Sequence, residues 1–299
     1  MKTILREEAD LRDAVIHNCI NARSDRATFS GKIGSRDVVF KLFYGDEVAQ
    51  TVSDTEIELK YQWERMSAGK YRVPEPIWHI PEKGLSIMSS VPGRRLDTLF
   101  NESDAVERAQ LISHSGAWLK TYAEDRQRNT DFSAQFWVKM ARRLLTNHIV
   151  EQDRDRASQL VKWMFSRAKS LNGMEIIQAR SHGDYCELNL LYDDEVMYGV
   201  DLHNNSWLPL AKDVARFLVF LNCRHPVETD QQSFGLPSKD VTSFLSAFEF
   251  LDERDPLFVF FIASELSRRL VEHIGHERYQ PNTRILVDGF LNGASKGLY

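Results

Sequence analysis

Only three cysteines, Cys19, Cys186 and Cys223, occur in 299 residues. Their odd number and wide spacing exclude a disulfide framework and a paired-cysteine metal site. A reducing, cytoplasmic setting is expected for such a chain. Long apolar runs are missing too. The longest, Pro256-Leu-Phe-Val-Phe-Phe-Ile-Ala263, is followed by Glu265, Arg268 and Arg269, and it falls well short of the roughly 18 residues of a membrane span. It is expected to form one buried face of a core helix. Charges appear within the first ten residues, too early for the apolar stretch of a signal peptide. Basic excess is absent: 38 Lys and Arg against 43 Asp and Glu leave a net charge of −5. That balance argues against a general nucleic-acid binder. Internal repeats and low-complexity linkers are lacking as well.

The composition that remains is globular, with 42% apolar and 27% charged residues. The length fits two domains or one large bilobal one. Residues 1–92 carry the strand signals. Ala27–Ile33 and Asp37–Phe43 flank a turn at Gly34-Ser35-Arg36, which is a hairpin pattern. A helix is predicted over Ser53–Met66, capped by Ser53 or Asp54, with Leu59, Trp63 and Met66 on one face. Pro74 and Pro76 precede a second hairpin, Ile77–Ile80 and Leu85–Met88. After Pro92-Gly93 the pattern turns helical, over Ser103–Glu124, Ala134–Asn147 and Glu151–Ser170. A β-rich island spans Ile176–Asp201, and helices resume near Ala211, Lys239, Leu257 and Thr283. Residues 1–92 are therefore expected to form an N-terminal nucleotide-binding lobe, and residues 93–299 a C-terminal lobe for catalysis and acceptor binding.

Ser181-His-Gly-Asp-Tyr-Cys-Glu-Leu-Asn189 spaces His182, Asp184 and Asn189 as H-x-D-x-x-x-x-N, and Asp201 follows Asn189 by twelve residues at the end of a strand. Asp and Asn also favour turns, so His-x-Asp alone would carry little. The full spacing carries more. Two oxygen donors near strand ends, Asn189 and Asp201, suit Mg²⁺. Asp184 is then left to take a proton from an attacking hydroxyl. This is the division of labour in a kinase catalytic loop. Lys41, inside the apolar strand Val38–Phe43, needs either solvent or an anion, and a phosphate fits. Its partner carboxylate is one of Glu56, Glu58 and Glu64. Glu58 is preferred, in the first half of its helix and sixteen residues before Pro74.

Together these elements resemble the aminoglycoside phosphotransferase and choline kinase superfamily, which has the protein-kinase-like fold. The likeness rests on Met88, Pro92, Gly93 and Leu96 at the lobe joint, on His182-Gly-Asp184 with Asn189, on Asp201, and on Asp213 in Lys212–Leu218. It spans roughly residues 27–220. It implies an α+β, bilobal fold with a β-rich first lobe and a mainly helical second. It implies ATP and Mg²⁺ as cofactors. Asp184 is then the catalytic base, Asn189 and Asp201 are the metal ligands, and Lys41 is the phosphate lysine. Met88 lies behind the adenine, and Ser89 and Val91 offer backbone groups to its edge. His182 and Asp213 hold the catalytic loop.

The chain departs from the pattern in two places. The loop expected to cover the phosphates, residues 21–26, has no glycine, so Arg23, Ser24 or Arg26 is the candidate substitute. Leu202-His203 follows the metal aspartate, and His203 is a candidate neighbour of substrate or metal. Only twelve residues separate Asp201 from Asp213, with no Ala-Pro-Glu after Asp201. That leaves little room for an activation segment and favours a small hydroxyl-bearing acceptor. Rival readings are a lipopolysaccharide-core, sugar or protein kinase of the same fold, and a catalytically weak nucleotide-binding regulatory module.

Overall fold

The computed structural model describes residues 1–202 and 206–299. His203 lies outside the described residues. The chain forms two compact units.

The first unit begins with α1 (Lys2–Glu7), followed by strands β1 (Val15–Ala22), β2 (Arg26–Ile33) and β3 (Arg36–Phe43). Ile33 pairs with Arg36, so the β2–β3 turn has two central residues, Gly34 and Ser35. Gly34 takes φ +57°, a conformation that glycine adopts without steric cost. The helix α2 (Val48–Met66) starts five residues before the expected Ser53. Asp46 and Glu47 place negative charge at its true start, which favours a helix N-terminus. Ser53 lies inside the helix. β4 (Tyr71–Arg72), β5 (Pro76–Ile80), β6 (Leu85–Ser89) and β7 (Arg94–Arg95) follow. One antiparallel sheet runs in the order β1-β2-β3-β6-β5. Val38 and Phe40 of β3 join Leu85, Ile87, Leu5 and Leu11 in a core on one face. By the two-residue period of strands, Val39 and Lys41 face the other way.

The second unit opens with α3 (Leu96–Glu102) and α4 (Ala105–Ala123). Asp104 and Glu107 close a capping box at the start of α4. Strand β8 (Gln127–Asp131), helices α5 (Ala134–His148) and α6 (Arg154–Leu171), and strand β9 (Glu175–Arg180) follow. The chain then leaves this unit. The hairpin β10 (Leu190–Asp193) and β11 (Val196–Gly199) pairs with β7 and β4, in the order β4-β11-β10-β7, and completes the first unit. Asp194 and Glu195 form its two-residue turn, both with positive φ. Strand β12 (Trp207–Pro209) returns to pair with β9, and α7 (Leu210–Arg224), α8 (Ser238–Leu245), α9 (Pro256–Glu272) and α10 (Tyr279–Ser295) finish the second unit.

The apolar run 257–263 was expected to bury one face. Instead every residue from Leu257 to Ala263 is buried. The reason is position: α9 is packed by α5, α6, α7 and α10, so it has no solvent side over this stretch. Asp255, part of a small acidic cluster in the sequence, caps the helix by accepting from the amides of Leu257 and Phe258. No helix among the described residues is long and apolar enough to cross a membrane.

Two buried histidines give this unit a pH signature. His273 at the end of α9 lies 2.8 Å from the Thr283 hydroxyl of α10. Burial lowers both His273 and His225 to about 4. The unfolded chain, with ordinary histidines near 6.5, therefore binds more protons between pH 4 and 6.5, so stability falls as pH drops through that window. At about 1.4 kcal/mol per pH unit, each histidine withdraws up to about 3 kcal/mol. Buried Glu187, raised to about 8, works in the opposite direction and offsets one histidine, so thermal unfolding should show a midpoint that falls from pH 6.5 to pH 4.5 by the excess of one histidine. The fall should be shallower in His273→Gln, and an equal fall in both proteins would remove His273 from the account.

Candidate functional site

Lys41 lies on the face of β3 opposite the core. Strand register places it across from Thr28 of β2 and Ser86 of β6. It is 6% exposed, so its charge needs a counterion. That counterion is Asp201, 160 residues away in the chain: Nζ donates to Oδ1 at 2.6 Å. Arg26, the first residue of β2, donates from Nη2 to Oδ2 of the same carboxylate at 3.3 Å. Asp201 follows the end of β11 and takes φ +69°, an unusual conformation for a residue with a side chain. Leu190 pairs with Gly199, and the amide of Val200 donates to the Asn189 carbonyl at 2.9 Å. Asn189 and Asp201 therefore share the open end of one hairpin. Asn189 and Asp201 are oxygen donors of the type that divalent cations take, and in the structure Lys41 and Arg26 supply the positive charge at Asp201.

Met88 is buried on β6, across from Val39 and Pro76. Ser89 continues the strand, with its amide donating to the Glu75 carbonyl at 2.9 Å and its Oγ accepting from the Glu75 amide at 2.8 Å. The Ser90 amide donates to the Asp37 carbonyl at 3.0 Å. The chain then leaves the sheet through half-buried Val91. Glu58 is buried in α2, and its Oε1 accepts from Gln62 at 3.0 Å.

The loop 181–189 is built within the second unit up to Leu188. Ser181 Oγ donates to the buried carboxylate of Asp213 on α7 at 2.6 Å and accepts from the Gly183 amide at 2.9 Å. Gly183 takes φ +77°, which is why a glycine serves between His182 and Asp184. His182 is fully buried, its ring packed on Trp118, Tyr122 and Tyr185. Tyr185 anchors the loop by donating to the Ser115 carbonyl at 2.5 Å. Cys186 is buried, which pushes its thiol up and keeps it protonated. Glu187, fully buried, lies 2.9 Å from Arg224, which also holds Asp97 at 2.6 Å. Burial pushes Glu187 up to about 8, against the pull of Arg224. Asp97, Glu187 and His225 cluster closely, but Arg224 already supplies the positive charge there.

Asp184 is paired with Arg216 of α7. Arg216 is 4% exposed, and its other terminal nitrogen lies 3.9 Å from Glu265 of α9, itself fully enclosed. Burial opposes the arginine's charge, but Glu265 and Asp184 outweigh it, and its pKa is raised. Glu265 is balanced in turn by Arg269 at 3.6 Å and Lys212 at 4.0 Å.

Sequence reasoning missed the Arg216 pairing. One signal was available: Arg216 lies three residues after Asp213 inside the apolar run Val214–Leu218, where a charge needs a buried partner. Glu265, in the apolar stretch of α9, is the matching anomaly.

No family model and no curated protein matches the chain in sequence. Solved structures do match in three dimensions. A thermostable aminoglycoside phosphotransferase APH(4)-Ia, in its apo form, aligns with a TM-score of 0.66 at 12% identity, over 99% of each chain. The aminoglycoside phosphotransferase APH(2″)-IIIa, in complex with GDP and kanamycin, aligns with a TM-score of 0.65 at 10% identity, over 97% of this chain and 98% of its own. The amicoumacin kinase hAmiN, in complex with AMP-PNP, Ca²⁺ and Ami, aligns with a TM-score of 0.58 at 11% identity, over 96% of this chain and 89% of its own. The fold is thus the bilobal, protein-kinase-like α+β fold of small-molecule phosphotransferases, as the motifs implied.

Proposed function

We propose that the protein transfers the γ-phosphoryl group of ATP to a hydroxyl of a small molecule. The observation that carries this reading is the 2.6 Å contact of Lys41 with Asp201, at the open end of the hairpin that also holds Asn189. A buried strand lysine, a strand-end aspartate and a loop asparagine are the parts that phosphoryl transfer needs on the nucleotide side. Structural neighbours with AMP-PNP, and in one case Ca²⁺, support a nucleotide and a divalent ion.

In this reading Asn189 and Asp201 hold Mg²⁺, which when bound neutralises charge on the phosphate oxygens. Lys41 orients the phosphates, and Glu58 is the helix carboxylate that supports it. The backbone of Ser89 and Val91 meets the adenine edge, with Met88 behind it. Asp184 accepts the proton of the attacking hydroxyl, while Arg216 orients its carboxylate. The acceptor is small because Asp213 follows Asp201 by only twelve positions, and β12 takes three of the residues between. A cytoplasmic location fits the reduced cysteines. The lipopolysaccharide-core, sugar and protein kinase readings share this chemistry and differ in the acceptor. The regulatory-module reading predicts nucleotide binding without transfer.

Calorimetry with Mg²⁺ and ATP tests the nucleotide side, and a labelled-ATP screen of hydroxyl acceptors tests the transfer. Folded protein that binds neither ATP nor GTP would remove the proposal. Lys41→Ala should keep the fold and lose most turnover with the best acceptor. Full turnover in that variant would remove the phosphate role of Lys41.

A further inference from the structure

The turn between β1 and β2 stands where the fold places a glycine loop over phosphates, yet residues 21–26 contain no glycine. Its geometry offers little to an anion. The Arg23 amide is spent on the Arg26 carbonyl at 2.8 Å, and the Asp25 carbonyl accepts from the Tyr44 amide at 2.8 Å. The exposed Asp25 side chain adds negative charge at the tip. Arg23 and Ser24 are exposed.

Arg26 differs from both. Its register partner on β3 is Phe43, so by the two-residue period it shares a sheet face with Lys41, one diagonal step away. Its side chain is only 14% exposed and turns inward to Asp201 rather than to solvent. One carboxylate therefore faces two cations, Arg26 at 3.3 Å and Lys41 at 2.6 Å. The other terminal nitrogen of Arg26 lies 3.7 Å from Asp25, whose carboxylate is 62% exposed and so screened by solvent, which leaves Asp201 as the enclosed partner of both cations.

We propose that Arg26 is a phosphate-binding residue that replaces the missing amide cradle of the loop; this assignment rests on the phosphotransferase reading. A planar guanidinium presents two parallel donors to phosphate oxygens, a geometry that lysine lacks. The same contact explains its resting partner. Without nucleotide, Asp201 holds Arg26 in place. Asp201 would hold a divalent ion when one is bound, which would free Arg26 and Lys41 to donate to phosphate oxygens. Phosphate and metal thus assist each other's binding, and the ligand class is a nucleoside di- or triphosphate rather than a nucleoside.

The test is calorimetric titration of wild type, Arg26→Ala and Arg26→Lys with ADP plus Mg²⁺ and with adenosine. Melting curves confirm that each variant is folded. A charge-assisted phosphate contact predicts that Arg26→Ala binds ADP about ten- to a hundredfold more weakly. Adenosine affinity should stay at the wild-type value, and Arg26→Lys should fall between. Unchanged ADP affinity in Arg26→Ala overturns the assignment. So does an equal loss for adenosine and ADP, since that marks a structural role. Wild type that binds neither ligand overturns the phosphotransferase reading itself, and the assignment with it.

Discussion

Asp184→Asn is expected to bind Mg²⁺ and ATP nearly as wild type does and to transfer the phosphoryl group ~10²–10⁴-fold more slowly. The two candidate aspartates differ in what surrounds them. Asp184 is held by Arg216 of α7, within the second unit. Asp201 is held by Lys41 and Arg26, within the first. A base acts on the incoming hydroxyl and contributes little to nucleotide affinity, whereas a metal ligand contributes to both. Asp201→Asn should therefore lose the Mg²⁺ dependence of nucleotide binding along with transfer. Nucleotide affinity with and without Mg²⁺, and single-turnover transfer, separate the two. Normal transfer by Asp184→Asn, or full Mg²⁺ dependence in Asp201→Asn, would overturn the assigned roles.

The largest expected loss of stability comes from Asp240→Ala. Arg108 of α4 donates to Asp240 of α8 from Nη2 at 2.7 Å and from Nε at 3.1 Å, and to Asn222 of α7 at 3.2 Å. The pair is buried, with side chains 7% and 5% exposed. Removing the aspartate strands a guanidinium that ties three helices together, at a cost of about 3–5 kcal/mol. Replacing both partners, as Arg108→Met with Asp240→Leu, should recover most of that loss, because no buried charge is left unpaired. Urea unfolding of the single and double variants measures the difference. A single variant within about 0.5 kcal/mol of wild type would show that water reaches Arg108.

Much of this architecture was legible in the chain itself. The β2–β3 hairpin announces itself through Gly34, and α4 through Asp104 and Glu107. Lys41 and Asp201 were each legible as a charge beside an apolar strand, but their contact was not, since the expected partner of Lys41 was a glutamate of α2. The β4-β11-β10-β7 sheet was not legible. Its outer strands, Tyr71–Arg72 and Arg94–Arg95, are two residues each and show no alternation. Their pairing is set by backbone hydrogen bonds to a distant hairpin. Arg216 was hidden, and Arg26 could not be told from Arg23, for another reason: a charge in a sequence shows that it needs a partner, but only the folded register says which. The start of α2 was not legible because Ser53 and Asp54 favour caps in isolation, while burial of Val52 extends the helix backward.

The return of the 190–199 hairpin to the first unit bears on how the protein is made. A ribosome that has released residues 1–95 has delivered the large sheet but neither inner strand of the small one. Tyr71–Arg72 and Arg94–Arg95 must wait as unpaired edges while about a hundred further residues are synthesised. Lys41 waits over the same interval, a buried cation whose counterion has not yet been translated. Nascent chains stalled before residue 189 should therefore display a protease-sensitive N-terminal half, and those stalled well beyond residue 202 a resistant one. An excised 1–95 fragment is a poor vehicle for binding studies, since it ends before its own architecture is complete.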